Sequence, residues 1–295
     1  MRFVTIFLLI LPLWGFESVM ESIQNYHVVD TDFWRHKTPY KAIRTWHIKQ
    51  EQYYLVVNQN NLKTEIIKAP LVDIMKKKTI ATPFMALKEK LLKQAPKLHN
   101  FGITSPQNNQ DFLTIDMCPS SKKGYEKKLF RFLEKSGSVA NISISGKWML
   151  GHSHDFDALI KSALKVRWIN HSFSHYYDRN EKDWSKNFML KNPEAFDAEI
   201  IKTEKLLIIN HQTPSVFFRF PGLISDATLV HKLIKTYNLL PLGTNNWLNV
   251  SNKKIEKGEI ILVHGNKNEH RGITLFFDQN QSNKYYAPIE EIILK

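Results

Sequence analysis

From Leu113 onward, short continuous apolar runs alternate with stretches in which apolar positions recur every three to four residues. That alternation predicts parallel β/α units whose strands are buried on both faces. Strands are expected over 112–115, 140–144, 167–169, 216–219, 239–242 and 259–263, with 286–288 as a seventh. Helices are expected near 125–135, 156–165, 193–209 and 226–237. The third is the clearest, because Asn192 and Pro193 form a start signal and Phe196, Ile200, Thr203 and Leu207 share one face. The expected fold class is α/β, an irregular (β/α) barrel of about seven parallel strands with a small N-terminal appendage.

The appendage is residues 21–108, followed by the barrel over 109–295. Apolar runs at 53–57 and 62–67 flank the polar stretch 58–61 and predict a hairpin. Thr82 as N-cap and Pro83 at the first position predict a helix through Gln94, and the polar stretch 104–110 marks the boundary. Trp34, Trp46, Tyr53 and Tyr54 read equally well as core or as sugar platforms.

Ahead of the appendage, Met1 and Arg2 precede an apolar run over 3–16, interrupted by Pro12 and too short to span a bilayer. Residues 1–20 therefore read as a secretory signal peptide, and the protein as secreted or periplasmic. No small-x-small triplet follows the run, so an uncleaved segment is the alternative, and membrane contact is expected only in that case. Cys118 is the single cysteine, which leaves stability to the core rather than to a disulfide. A sequon at Asn170 sits beside a histidine pair that a glycan would block, which favours an unmodified chain from a bacterial source.

The net charge of +13, from 41 basic and 28 acidic residues, draws the chain toward anionic polymers such as wall glycans or headgroups. Nucleic acid is not expected, because the lysine clusters at 76–78, 122–128 and 253–257 are scattered and no nucleic-acid-binding motif accompanies them. The sequence carries no signal for oligomeric state.

Five segments hold the candidate chemistry: 113–120 (LTIDMCPS), 170–175 (NHSFSH), 218–222 (FRFPG), 244–247 (TNNW) and 261–265 (ILVHG). Each falls at the end of an expected strand, where parallel barrels place their sites. His171 and His175 have the spacing that sets two imidazoles on one side of a helical turn, as at zinc sites. Asp116 reads as a helix cap, a salt-bridge partner or a general base, and His264 titrates in the range suited to proton transfer.

In this order the segments resemble the polysaccharide deacetylases, the carbohydrate esterases of family four that share the chitooligosaccharide deacetylase domain. Their motifs run TFDDGP, H(S/T)xxH, RxPYG, DxxDW and LxH, and the resemblance covers about 110–295. It implies a divalent metal, zinc first, on His171 and His175, with Asp116 as base, Arg219 holding it, and His264 as acid. It also implies that Leu262 and Trp247 wall an acetyl pocket and that the backbone N–H of Gly222 stabilises the oxyanion.

Three departures qualify the match. Met117 stands where the family has a carboxylate ligand, which leaves zinc two histidines and lowers the expected affinity. Gly243 and Asn246 replace the acids of DxxDW, removing a carboxylate expected to tune His264. Cys118 replaces a motif glycine and reads as a small buried side chain, with a thiolate ligand as the alternative.

The leading expectation is a metal-assisted hydrolase of carbon–nitrogen bonds that removes acetyl from an amino sugar in a peptidoglycan or chitin-like glycan. A glycan-binding protein with impaired catalysis is the second reading, and an amidase of another carbon–nitrogen bond the third.

Overall fold

The computed structural model describes residues 20–71, 81–280 and 284–293. The apolar leader over 3–16 and the lysines at 76–78 lie outside the described residues, within which no helix is long and apolar enough to cross a membrane.

The first unit is a four-stranded antiparallel sheet in the order β1-β2-β3-β4: β1 (Ile23–Arg35), β2 (Thr38–Ile48), β3 (Glu51–Asn58) and β4 (Thr64–Lys68). The expected hairpin is the β3–β4 pair, whereas β1 and β2 were not anticipated. The helix Pro83–Lys93 follows, with Thr82 capping it by accepting from the Met85 N–H at 3.2 Å.

The second unit is a seven-stranded parallel sheet in the order β10-β11-β5-β6-β7-β8-β9. Its strands are β5 (Phe112–Met117), β6 (Val139–Ile144), β7 (Lys165–Asn170), β8 (Pro214–Phe218), β9 (Leu240–Pro241), β10 (Asn246–Trp247) and β11 (Ile260–His264). Helices Lys127–Lys135, Ser153–Lys161, Phe196–Ile209 and Ala227–Lys235 match the four expected ones. The second ends at Lys161 because β7 begins at Lys165, and the third is preceded by a single 3-10 turn at Pro193–Ala195. The short edge strand β9 is covered by the segment around Ile103, whose N–H donates to the Pro241 carbonyl at 2.9 Å.

Residues 286–288 are not a strand, and the seventh strand is β10. The 286–288 segment crosses the starts of β5 and β6: the Val139 N–H donates to the Tyr286 carbonyl at 3.0 Å and the Ala287 N–H to the Asp111 carbonyl at 2.9 Å. It therefore plugs the barrel floor, at the end opposite the five motif segments.

The antiparallel sheet shares a core with the barrel, with Trp46, Leu55 and Phe84 clustering with Ile208, Val216 and Phe217. Trp46 is fully buried, which makes it core rather than a sugar platform. A polar clamp crosses the same junction. Arg44 makes a fork to Glu204 at 2.7 and 2.9 Å and donates to the Tyr237 carbonyl at 2.8 Å, and Tyr26 donates to Glu204 at 2.8 Å. Arg44→Met is expected to destabilise the chain by about 3–5 kcal/mol, because it strands a buried carboxylate, whereas Arg44→Met with Glu204→Leu recovers most of that loss. Equilibrium denaturation of both variants checks this.

Candidate active site

The strand period organises the site. Along β5, Leu113, Ile115 and Met117 point into the helix-side core, so the opposite face carries Thr114, Asp116 and, one residue beyond the strand, Cys118. Met117 is fully buried and packs toward Gly265, where an added Cβ would meet its sulfur at 2.7 Å. The side chain replacing the expected carboxylate therefore lies away from the site, and its neighbour Cys118 faces it.

Arg219 follows β8 and is fully buried behind Asp116. Its Nη2 donates to Thr114 Oγ1 at 3.0 Å, and its Nη1 lies 3.9 Å from Asp116 Oδ2, a charge contact rather than a hydrogen bond. Burial lowers the Arg219 pKa, opposed by the charges of Asp116 and Cys118. Asp116 is itself buried, and its Oδ1 has no hydrogen-bond partner among the described residues.

His171 and His175 lie on a loop after β7 rather than on the helical turn that their spacing suggested. Ser172 and His175 take φ of 64° and 45°, and the Glu199 carboxylate holds the bend by accepting the N–H groups of Phe173 and Ser174 at 2.9 and 2.7 Å. His171 Nδ1 lies 2.8 Å from the Arg219 carbonyl, which can only accept, so the proton is on Nδ1 and the lone pair on Nε2. That lone pair faces Cys118 Sγ at 3.6 Å and Asp116 Oδ2 at 3.7 Å. The two imidazoles are 4.6 Å apart, and His175 Nε2 is buried without a partner among the described residues.

The donor atoms of Cys118, His171 and His175 all lie within 4.8 Å of one another. These residues fit a divalent metal. A carbonyl-pinned histidine with its free nitrogen inward, a second histidine nitrogen buried without a partner, and a convergent sulfur are the ligand set and outer-shell support that zinc takes. Cys118 is buried as the sequence suggested, but as a member of this cluster.

Across the mouth, His264 ends β11 with Nδ1 in charge contact with Glu269 Oε2 at 2.8 Å, and that oxygen accepts from the Trp247 indole N–H at 3.2 Å. A carboxylate therefore does face His264 despite Gly243 and Asn246. Asn246 is turned instead to Glu259 at 2.8 Å. Sequence reasoning missed Glu269, since it belongs to no motif and only the loop after β11 folds it back.

Burial opposes charge on these groups, but their proximity outweighs it. His175 and His264 hold the Cys118 thiol well below its ordinary pKa. In turn Cys118 raises His175, and Cys118 and Glu269 raise His264 well above the usual imidazole range.

A cavity of about 570 Å³ joins Asp116, Cys118, both motif histidines and His264, and Gly222, Trp247 and Leu262 also line it. Gly222 has φ of 60°, and a Cβ there would meet the Phe188 ring at 2.4 Å, so only glycine fits. Leu223, where the family motif carries glycine, sits at φ 61°, a strained position for a bulky residue. Every residue expected at the site is thus gathered at one end of the barrel, with Arg219 behind the wall and the others lining the cavity.

No family model matches the chain. Among solved structures, the fold is similar to a family 4 carbohydrate esterase from Bacillus anthracis, at 16% identity and a TM-score of 0.48 over 72% of this chain and 92% of that one. It is also similar to PdaA of Bacillus subtilis, a family 4 carbohydrate esterase, at 14% identity and 0.44 over 80% and 92%. A third similar structure is a family 4 pseudoenzyme from Bacillus anthracis, at 14% identity and 0.47 over 94% of each chain.

Proposed function

We propose that the chain is a metal-dependent hydrolase that removes an acetyl group from the amide nitrogen of an amino sugar in an exported glycan such as peptidoglycan or a chitin-like polymer. The observation that carries this reading is the convergence of Cys118, His171 and His175 beside a buried, unpartnered Asp116 oxygen, with the Glu269-backed His264 lining the same cavity.

Cys118, His171 and His175 would hold the metal, which supplies Lewis-acid polarisation of the acyl oxygen and a more acidic water. Asp116, beside the buried Arg219 guanidinium, takes the proton from the attacking water at Oδ1. Gly222 offers a backbone N–H for the oxyanion, and Leu262 and Trp247 bound the space for a small acyl group. As the carbon–nitrogen bond breaks, imidazolium His264 gives its proton to the nitrogen, and acetate and a free amine result. Glu269 and the Trp247 indole orient that imidazole.

The second reading, a glycan-binding protein impaired in catalysis, turns on a missing third ligand, and the Cys118 sulfur beside the two histidines supports the hydrolase over it. The test is release of acetate from acetylated amino-sugar oligomers by zinc-loaded protein. Acetate lost on chelation and restored by zinc supports the proposal. Oligomer binding with no acetate under any metal leaves the binding-protein reading, and ammonia without acetate leaves the amidase.

A further inference from the structure

The lysines that the sequence groups at 122–128 are divided by the fold. Lys127 and Lys128 turn to the rings of Tyr125 and Phe277, at 5.9 and 4.0 Å from the ring centres. Lys122 and Lys123 stay exposed on the loop that follows β5, at the end of the barrel that carries the candidate centre. Two further lysines join them there, Lys267 on the loop after β11 and Lys147 on the short helix after β6. In the sheet β5 lies between β11 and β6, so the segments that carry the four cations are neighbours along one side of the mouth. Lys147 lines the cavity itself, as do Pro119 and Asn268 from the two loops.

The loops are fastened to one another through these residues. Lys122 Nζ donates to the Lys267 carbonyl at 2.7 Å, and Lys267 Nζ donates to the Lys123 carbonyl at 3.1 Å. Asn268 joins the same two loops, accepting from Ser120 Oγ at 2.8 Å and donating to the Pro119 carbonyl at 3.2 Å. Lys267 takes φ 64°, a conformation that a long side chain adopts only where its surroundings impose it. An ammonium has three donors, so Lys122 and Lys267 each keep donors for a ligand. None of the four lysines pairs with a carboxylate among the described residues, whereas Lys41, Lys161 and Lys284 each do. Cations gathered without a counter-charge repel one another, and an anion placed among them relieves that repulsion.

Lysine offers a compact charge without the fork that selects one kind of anion, so the arc reads negative charge and its spacing rather than a single group. Its place selects the carrier of that charge. A membrane surface reaches only side chains that face outward, whereas Lys147 stands in the wall of the cavity that holds Cys118, His171 and His175. A flexible strand that lays one sugar in the cavity carries its next residues over the mouth, where the loops after β5 and β11 stand. We infer that Lys122, Lys123, Lys147 and Lys267 form a docking arc for the acidic groups of an anionic glycan, a polymer in which amino sugars alternate with or carry carboxylates. The amino sugar in that description rests on the hydrolase reading, and the preference for an acidic strand does not.

The test is calorimetric titration of an octasaccharide alternating N-acetylglucosamine with glucuronate, and separately of a neutral tetramer of N-acetylglucosamine, at low and at physiological ionic strength. The arc variant combines Lys122→Gln, Lys123→Gln and Lys147→Gln, and its conservative counterpart carries Arg at the same positions. The control combines Lys253→Gln, Lys254→Gln and Lys257→Gln, an equal loss of charge at exposed lysines outside the cavity lining. The arc variant is expected to bind the octasaccharide about tenfold more weakly at low salt and to lose most of the salt dependence, with thermal midpoint, zinc content and tetramer binding unchanged. The arginine variant and the control are expected to match wild type. Equal weakening in both glutamine variants would reduce the effect to net charge and overturn the arc. Unchanged affinity in the arc variant, wild-type affinity no higher for the octasaccharide than for the tetramer, or a loss seen only with anionic phospholipid vesicles overturns it as well. Acetate release is scored separately. Weakened octasaccharide binding with no acetate from either glycan keeps the arc and removes the hydrolase, whereas acetate release with unchanged octasaccharide binding in the arc variant does the reverse.

Discussion

Asp116→Asn is expected to lower turnover by about 10²–10⁴-fold, the usual worth of a positioned general base, while zinc content stays near wild type. The amide is close in size to the carboxylate but accepts no proton, and the metal donors are on other residues. The substitution also removes the counter-charge of a fully buried Arg219, so the variant is expected to melt earlier. Turnover is therefore compared at a temperature at which far-ultraviolet circular dichroism shows both proteins folded. A loss in kcat with little change in KM identifies Asp116 as acting in the chemical step. Turnover within threefold of wild type would remove Asp116 as the base and shift that role to another group of the cavity.

The strands that carry this chemistry were legible because each is a short, continuously buried run, as β5 and β6 are at every position. The 286–288 segment misled for the same reason: Tyr286 and Ala287 are as buried as a strand and use strand-like backbone bonds, but across the strand starts. Composition registers burial and not direction. The first strand went unread because β1 exposes many of its positions and is bulged in two places, and the second because its buried run includes Lys41, Arg44 and Thr45, which do not read as apolar. At the site, the motif order located Asp116, His171, Arg219 and His264, since each ends a strand and chain order fixes which strand. It could not locate Glu269, which reaches His264 only through the fold of a loop. The placement of Cys118 beside the histidines was readable in principle: period-two alternation places 114, 116 and 118 together and sends 117 to the core. Matching motifs position by position fastened on Met117 instead.

Cys118→Ala is expected to reduce zinc affinity by at least about 100-fold, because it removes a donor itself, when loss of an outer-shell partner alone costs 10–100-fold. A thiolate ligand at 118 would also set the kind of metal. Sulfur with two imidazoles favours zinc and its borderline neighbours over magnesium or manganese, which prefer oxygen donors. Cobalt makes the ligand visible, since a sulfur bound to cobalt gives a charge-transfer absorption in the near ultraviolet that nitrogen and oxygen donors lack. Wild type loaded with cobalt is expected to show that absorption. Cys118→Asp is expected to keep a metal, lose the absorption and bind oxygen-loving ions better, because a carboxylate at 118 issues from the same face of β5. Elemental analysis and the cobalt spectrum of the three proteins separate the possibilities. Equal zinc in wild type and Cys118→Ala, with no sulfur band in either, would return Cys118 to the packing role that its burial alone suggests. A sulfur band in wild type, lost in Cys118→Ala together with the metal, makes the thiolate the group that compensates for Met117.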